Sequence, residues 1–130
     1  MNIIELDVIG TCLNKISYKG IKSSERSSCT KLFREVKSLL EERQELNKKV
    51  LTDYGAVLTP DGANYTFEHL EVSLREKLIK ELNEAQTEAL DISTLPLNFL
   101  SVESFDNIVD NGEFNTQEVI ILEDYLLEKV

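Results

Sequence analysis

The stretch SSERSSCTKLFREVKSLLEERQELNKKVLTDY, residues 23–54, decides the fold. Its apolar residues return at spacings of three and four: Cys29, Leu32, Val36, Leu39, Leu46 and Val50, with Arg43 or Gln44 filling the gap. Phe33, Leu40 and Leu51 widen the stripe. That period belongs to an amphipathic helix. Neither glycine nor proline intervenes before Gly55. Ser23 and Ser24 are predicted to cap its start, with Glu25 complementing the positive end of its dipole. About 29 helical residues extend roughly 43 Å at the standard rise. A helix that long needs a partner along its length.

Residues 68–89 supply a second helical pattern. Leu70, Leu74, Leu78, Leu82, Ala85 and Ala89 fall on one face, with Ile79 beside them. Between the two patterns stands Thr59-Pro60-Asp61-Gly62. Proline presets φ at the second turn position, aspartate suits the third, and glycine takes the left-handed conformation that follows. Ala56-Val57-Leu58 and Tyr65-Thr66-Phe67 flank it, so the turn reads as a small β-hairpin between antiparallel helices.

Toward the N-terminus the pattern is mixed. Ile4, Leu6 and Val8 alternate as in a strand, whereas Ile9, Cys12, Leu13 and Ile16 share a helical face. The expectation is an extended start, an N-cap at Asp7, a helix to about Tyr18 and Gly20 as its left-handed stop. Beyond Leu90, an apolar extended segment surrounds Pro96, with Ile92, Leu95, Leu97 and Phe99. A short helix is expected near Val102–Ile108, ended by Asn111-Gly112. Asn115 and Glu118 then form a capping-box signature, with Val119, Leu122, Tyr125 and Leu126 as the buried face of a last helix. The fold class expected is therefore mainly α (α+β). It comprises a long antiparallel helical hairpin closed by a small β-hairpin, plus a C-terminal helical subdomain. Residues 1–130 read as a single domain, the N-terminal helix and hairpin occupying 1–90 and the C-terminal part 91–130.

Composition agrees with one domain. At 130 residues and 42% apolar content, the chain can bury a core. No apolar run approaches the roughly 20 residues of a membrane span. Met1–Ile9 contains Glu5 and Asp7 and lacks a basic region, so it does not read as a signal peptide. Cys12 and Cys29 show no disulfide framework. An intracellular protein with free, buried thiols is expected.

Catalytic signatures are missing. His69, the single histidine, sits among carboxylates without a second histidine and reads as a surface residue. Cys29 falls on the apolar seam, where a thiol is packing. Asn107, Asn111, Gly112 and Glu118 imitate part of a calcium loop, but Val109 takes a position that needs oxygen and Asn107 brings no charge. Glu81, Glu84 and Glu88 lie within two turns, yet no tryptophan offers a sugar platform. There is no Gly-rich phosphate loop and no nucleophile elbow. No catalytic, cofactor-binding or metal-ligating residue is assigned, and an enzyme is not expected.

Charge is the strongest remaining signal. Residues 1–54 carry ten Lys/Arg and eight Asp/Glu, a net of +2; residues 55–130 carry four and sixteen, a net of −12. From Glu81 to Glu128 there are twelve acidic residues and no basic one. Such a field repels nucleic acid and attracts basic surfaces. A basic cluster precedes it: Lys15, Lys19, Lys22, Arg26, Lys31, Arg34 and Lys37. Glu25 and Glu35 dilute that cluster, so direct nucleic-acid binding is disfavoured. Its pairing with the acidic half, within the monomer or between subunits, stays open.

The order of features carries a resemblance. Lys19-Gly20-Ile21-Lys22-Ser23-Ser24-Glu25-Arg26 leads into a long charged helix with Leu39, Glu42, Glu45 and Leu46, ending at Asp53-Tyr54-Gly55. Asp61-Gly62-Ala63-Asn64, a second long helix and Leu126-Leu127-Glu128 follow. Over most of its length the chain resembles a family of small proteins, without assigned catalytic residues, encoded by tailed phages and prophages of Gram-positive bacteria. It departs from that pattern at Glu25 and Ser27, where the family is more basic. The resemblance implies a phage protein acting in the host cytoplasm. Combined with the charge, the expected function is a non-enzymatic acidic protein that engages and inhibits a host protein. A nucleic-acid enzyme such as a defence nuclease or CRISPR effector is the partner expected, through DNA mimicry. Glu81, Glu84, Glu88, Asp106, Asp110, Glu113, Glu123, Asp124 and Glu128 are the candidates for the acidic face. The alternative is a virion or assembly accessory protein that forms a homo-oligomer.

Overall fold

The first helix begins at Ile3 and not at Asp7, because Asn2 and Glu5 satisfy each other's backbone donors. The Asn2 side chain accepts from the Glu5 N–H at 2.9 Å, and Glu5 Oε1 accepts from the Asn2 N–H at 3.1 Å. The expected extended start is therefore corrected: the helical period already runs through Leu6, Ile9, Cys12 and Leu13, which are buried, while Ile4 faces solvent. In this computed structural model, which describes residues 1–129, α1 spans Ile3–Lys15 and α2 spans Ser23–Asp53. Helices α3 (Val72–Thr87), α4 (Val102–Asn111) and α5 (Thr116–Tyr125) follow, with strands β1 (Val57–Leu58) and β2 (Tyr65–Thr66) between α2 and α3.

The expected stop of α1 is also corrected. The helix ends at Lys15, Ile16 is extended and buried, and Tyr18–Gly20 forms a single 3-10 turn. Gly20 lies outside the left-handed region. It permits close approach instead: a Cβ there would stand 3.2 Å from the Asn107 Cβ, and the Gly20 carbonyl accepts from Asn107 Nδ2 at 3.3 Å.

The second capping expectation is revised as well. Lys22 occupies the N-cap of α2 without a side-chain cap, and Ser23 is already helical. Glu25 lies in the first turn, but its side chain is buried. It accepts from the Ser104 hydroxyl at 2.9 Å and the Ser101 N–H at 3.2 Å. Ser101 caps α4, so one carboxylate joins the N-terminal ends of two helices, where its charge is favourable.

The hairpin forms as expected. Val57 pairs with Thr66 and Leu58 with Tyr65 in an antiparallel ladder. Gly62 adopts φ +73° and its N–H donates to the Thr59 carbonyl at 2.8 Å, which closes the turn. Two contacts give the helix direction. Tyr54, at the end of α2, donates to Glu81 at 2.7 Å, and Arg43, three turns earlier, meets Glu88 at 3.1 Å. Moving back along α2 means moving forward along α3, so they are antiparallel. Helix α3 is shorter than the 68–89 stretch because Phe67–Leu70 forms a turn instead. His69 Nε2 donates to the Gly55 carbonyl at 2.9 Å within that crossing.

The partners of α2 divide its length. Its first half packs against α1, and Cys29, Leu32 and Val36 join Leu6, Ile9, Cys12 and Leu13 in the core. Leu95, Leu100, Ile108, Ile121, Leu122 and Leu126 complete the same cluster, so the segment beyond Leu90 supplies one side of the common core. The chain end is fastened by backbone: Leu100 N–H donates to Leu126 O at 2.9 Å, and Glu128 N–H to Leu100 O at 2.7 Å. Beyond Val36 the packing thins: α1 still reaches Leu40 at Gly10 and α3 lies alongside, but no residue of α2 past Val36 is fully buried.

Candidate functional site

The nine carboxylates singled out from charge are all exposed, but the fold divides them. Glu81, Glu84 and Glu88 lie on or directly after α3, and cations or hydroxyls of the hairpin engage them. Glu81 accepts from Tyr54, Glu88 pairs with Arg43, and Glu84 stands 3.9 Å from Lys80. The Glu81 contact pushes the Tyr54 phenol above its ordinary range. Asp106, Asp110, Glu113, Glu123, Asp124 and Glu128 lie in or beside α4 and α5. None of these six side chains has a hydrogen-bond or ion-pair partner among the described residues. Asp106 and Asp110 are four residues apart on α4, on the side away from buried Ser104 and Ile108.

Two carboxylates that matter most to packing were not on that face. Glu25 ties α2 to α4. Glu118 completes its capping box with Asn115 and also meets Lys15 Nζ at 2.8 Å, with its side chain 6% exposed. Lys15, backed by Asn115, holds the Glu118 carboxyl below the usual carboxylate range. The Lys15 ammonium also lies 5.8 Å from the Phe114 ring centre and donates to the Glu113 carbonyl. The cap was legible from Asn115 and Glu118 alone. The ion pair was not, since its members stand 103 positions apart.

The calcium-like residues have other employment. Asn107 and Asn111 are helical, Asn111 bonds the Asn107 carbonyl, and Glu118 is held by Lys15. Among the described residues no group of three or more His, Cys, Asp or Glu is placed to hold a metal ion. Both cysteines are free and buried. Burial first, then Glu118, pushes the Cys12 thiol up to about 12; burial and Glu25 push Cys29 up to about 11. At neutral pH both are protonated, and a thiol is a far weaker nucleophile than a thiolate.

The basic cluster changes character on folding. Lys15 is committed to Glu118, and Glu25, which dilutes the cluster in sequence, leaves the surface. Lys19, Lys22, Arg26, Lys31, Arg34 and Lys37 remain exposed with no ion pair among the described residues. Arg26 Nε donates to the Tyr18 carbonyl at 3.0 Å, and Tyr18 and Thr30 hydroxyls meet at 3.1 Å. Arg26, Lys31 and Arg34 line an open groove on this side of α2, together with Ser23, Ser27, Ser28, Thr30 and the single carboxylate of Glu35.

Comparison with protein-family models, with curated proteins and with solved structures gave no match. No helix among the described residues is long and apolar enough to cross a membrane.

Proposed function

We propose that this is a phage-encoded, non-enzymatic binding protein that acts in the host cytoplasm by docking on a basic protein surface. The carboxylates of α4 and α5 occupy a groove that otherwise holds nucleic-acid phosphates, and a defence nuclease or CRISPR effector is the class of target. One observation carries this reading: Asp106, Asp110, Glu113, Glu123, Asp124 and Glu128 are exposed without a compensating cation among the described residues. Complementary to a basic groove, such charges steer the encounter, which raises the association rate and makes it salt-dependent. Glu81, Glu84 and Glu88 drop out of the docking set, because the hairpin already engages them.

Inhibition of plasmid cleavage by a panel of purified nucleases and RNA-guided effectors tests the reading. Inhibition of at least one is expected, weakening as salt rises. A variant with Asp106, Asp110 and Asp124 changed to Asn, and Glu113, Glu123 and Glu128 changed to Gln, should lose it while keeping its melting temperature. Inhibition that survives this neutralisation and ignores salt would sink phosphate mimicry, as would a panel left wholly untouched.

A further inference from the structure

Folding leaves two opposite charges unspent on one molecule. Lys22, Arg26, Lys31, Arg34 and Lys37 run along roughly 22 Å of the first half of α2. Positions 26, 30, 34 and 37 share a face by their three- and four-residue spacing. Of the two acidic residues that interrupt them in sequence, Glu25 is buried and Glu35 stays partly exposed, so cations outnumber carboxylates along the stripe by five to one. Asp106, Asp110 and Glu113 stand equally unpaired on and after α4, whose N-terminal end meets that of α2 at Glu25.

We propose that the occupant of the α2 stripe is a second copy of this chain, presenting the carboxylates of α4 and the residues after it. The molecule already joins its own halves by this chemistry. Lys15 meets Glu118 at 2.8 Å, and Arg43 meets Glu88 at 3.1 Å. Each is a cation from the first 54 residues on a carboxylate from the last 50. Contact between copies repeats that pairing with the groups left over. Exposed apolar side chains accompany both partners: Tyr18 lies along the stripe, bonded to Thr30, and Val102 precedes Asp106 by one helical turn. Such groups give a charged contact an apolar centre. A nucleic-acid backbone is the weaker fit, because a net charge of −10 opposes its approach. Self-association shares its carboxylates with the proposed host contact, needs no host partner and would compete with it.

Charge reversal on the full chain tests this by light scattering. The wild type should show a mass above the monomer at low salt and approach the monomer at about 0.5 M salt, where screening is short-ranged. Lys31→Glu/Arg34→Glu/Lys37→Glu and Asp106→Lys/Asp110→Lys/Glu113→Lys should each be monomeric alone. Mixed in equal amounts they should assemble, because each now carries what the other lost. A folding defect cannot be repaired by mixing, so this arm separates docking from structure. Should the triple variants melt early, Arg34→Glu with Asp110→Lys serves the same purpose. A wild type that stays monomeric at low salt overturns the proposal and leaves the nuclease assay standing. So do variants that assemble unaided, or a mixture that stays monomeric. A monomeric wild type that retards a random-sequence DNA duplex through Lys31, Arg34 and Lys37 would assign the stripe to nucleic acid instead.

Discussion

The two ends of α2 share one sequence pattern and have different fates. At the end formed by α1, α4 and α5, Leu6, Ile9, Leu32, Leu100, Leu122 and Leu126 are sealed from solvent. At the hairpin end, only Ala56 and Leu78 are buried, while Leu46, Val57, Leu58, Val72, Leu74 and Ile79 remain exposed. Spacing of three and four residues says which side of a helix turns inward. It does not say how many neighbours close over that side. Along the first half of α2, α1 and the segment beyond Leu90 close the core, whereas the end near the β-hairpin is left with α3.

The largest difference between the ends should appear on truncating a leucine at each. Leu122→Ala removes a fully buried side chain and is expected to cost about 3 kcal/mol, from transfer and cavity terms together. Leu46→Ala, on a side chain 48% exposed, should cost below about 1 kcal/mol. Denaturant midpoints at unchanged slope measure both. Equal costs would mean that the hairpin end is buried in solution, and light scattering would then show whether a second copy covers it.

These fates bear on how much was readable beforehand. The turn at Pro60-Asp61-Gly62 and the cap at Asn115 and Glu118 were legible because their signals lie within a few residues. The start of α1 was not, although Asn2 and Glu5 carry the same capping signature. Ile4, Leu6 and Val8 alternate by accident of one exposed and one buried residue, and the strand period masked the helix. The candidate face was legible only as composition. Which carboxylates are free depends on Tyr54, Arg43 and Lys15, and these reach their partners only through the fold.

Stability against pH sharpens the contrast, because the buried titrating groups belong to the closed end. Glu118 sits low through Lys15 and Asn115, so its ionised form favours the fold. Its contribution is complete above the ordinary carboxylate range and is lost as pH falls below about 4. Glu118→Gln should flatten that acid limb. Cys12, Cys29 and Tyr125 are raised, to about 12, 11 and 12, so the fold favours their protonated forms. Their contribution is intact below the ordinary thiol range and falls away as pH rises above about 9. At the hairpin end, Asp61 is held low by Thr59 and Ala63 but lies exposed on a turn, where solvent screens its contribution. Unfolding midpoints followed from pH 3 to 11 should therefore change mainly through the closed end, and an acid limb unmoved by Glu118→Gln would show the weight lying elsewhere.

The smallest expected effect asks whether the two ends open together. Gly62 holds φ +73°, and a Cβ added there would have nothing within 4 Å. Gly62→Ala therefore meets no clash and bears only the cost of left-handed backbone, about 1 kcal/mol. The hairpin has two residues per strand and little burial beneath it, so that cost should be felt locally. Exchange of the Thr59 and Gly62 amides, which donate to Asn64 and Thr59, should speed by about fivefold, the factor that 1 kcal/mol sets. The Leu100 and Glu128 amides, which fasten the chain end to the core, should exchange as before. If they speed by the same factor, the hairpin unfolds only with the core, and the exposed end draws its stability from contacts that also order the closed one.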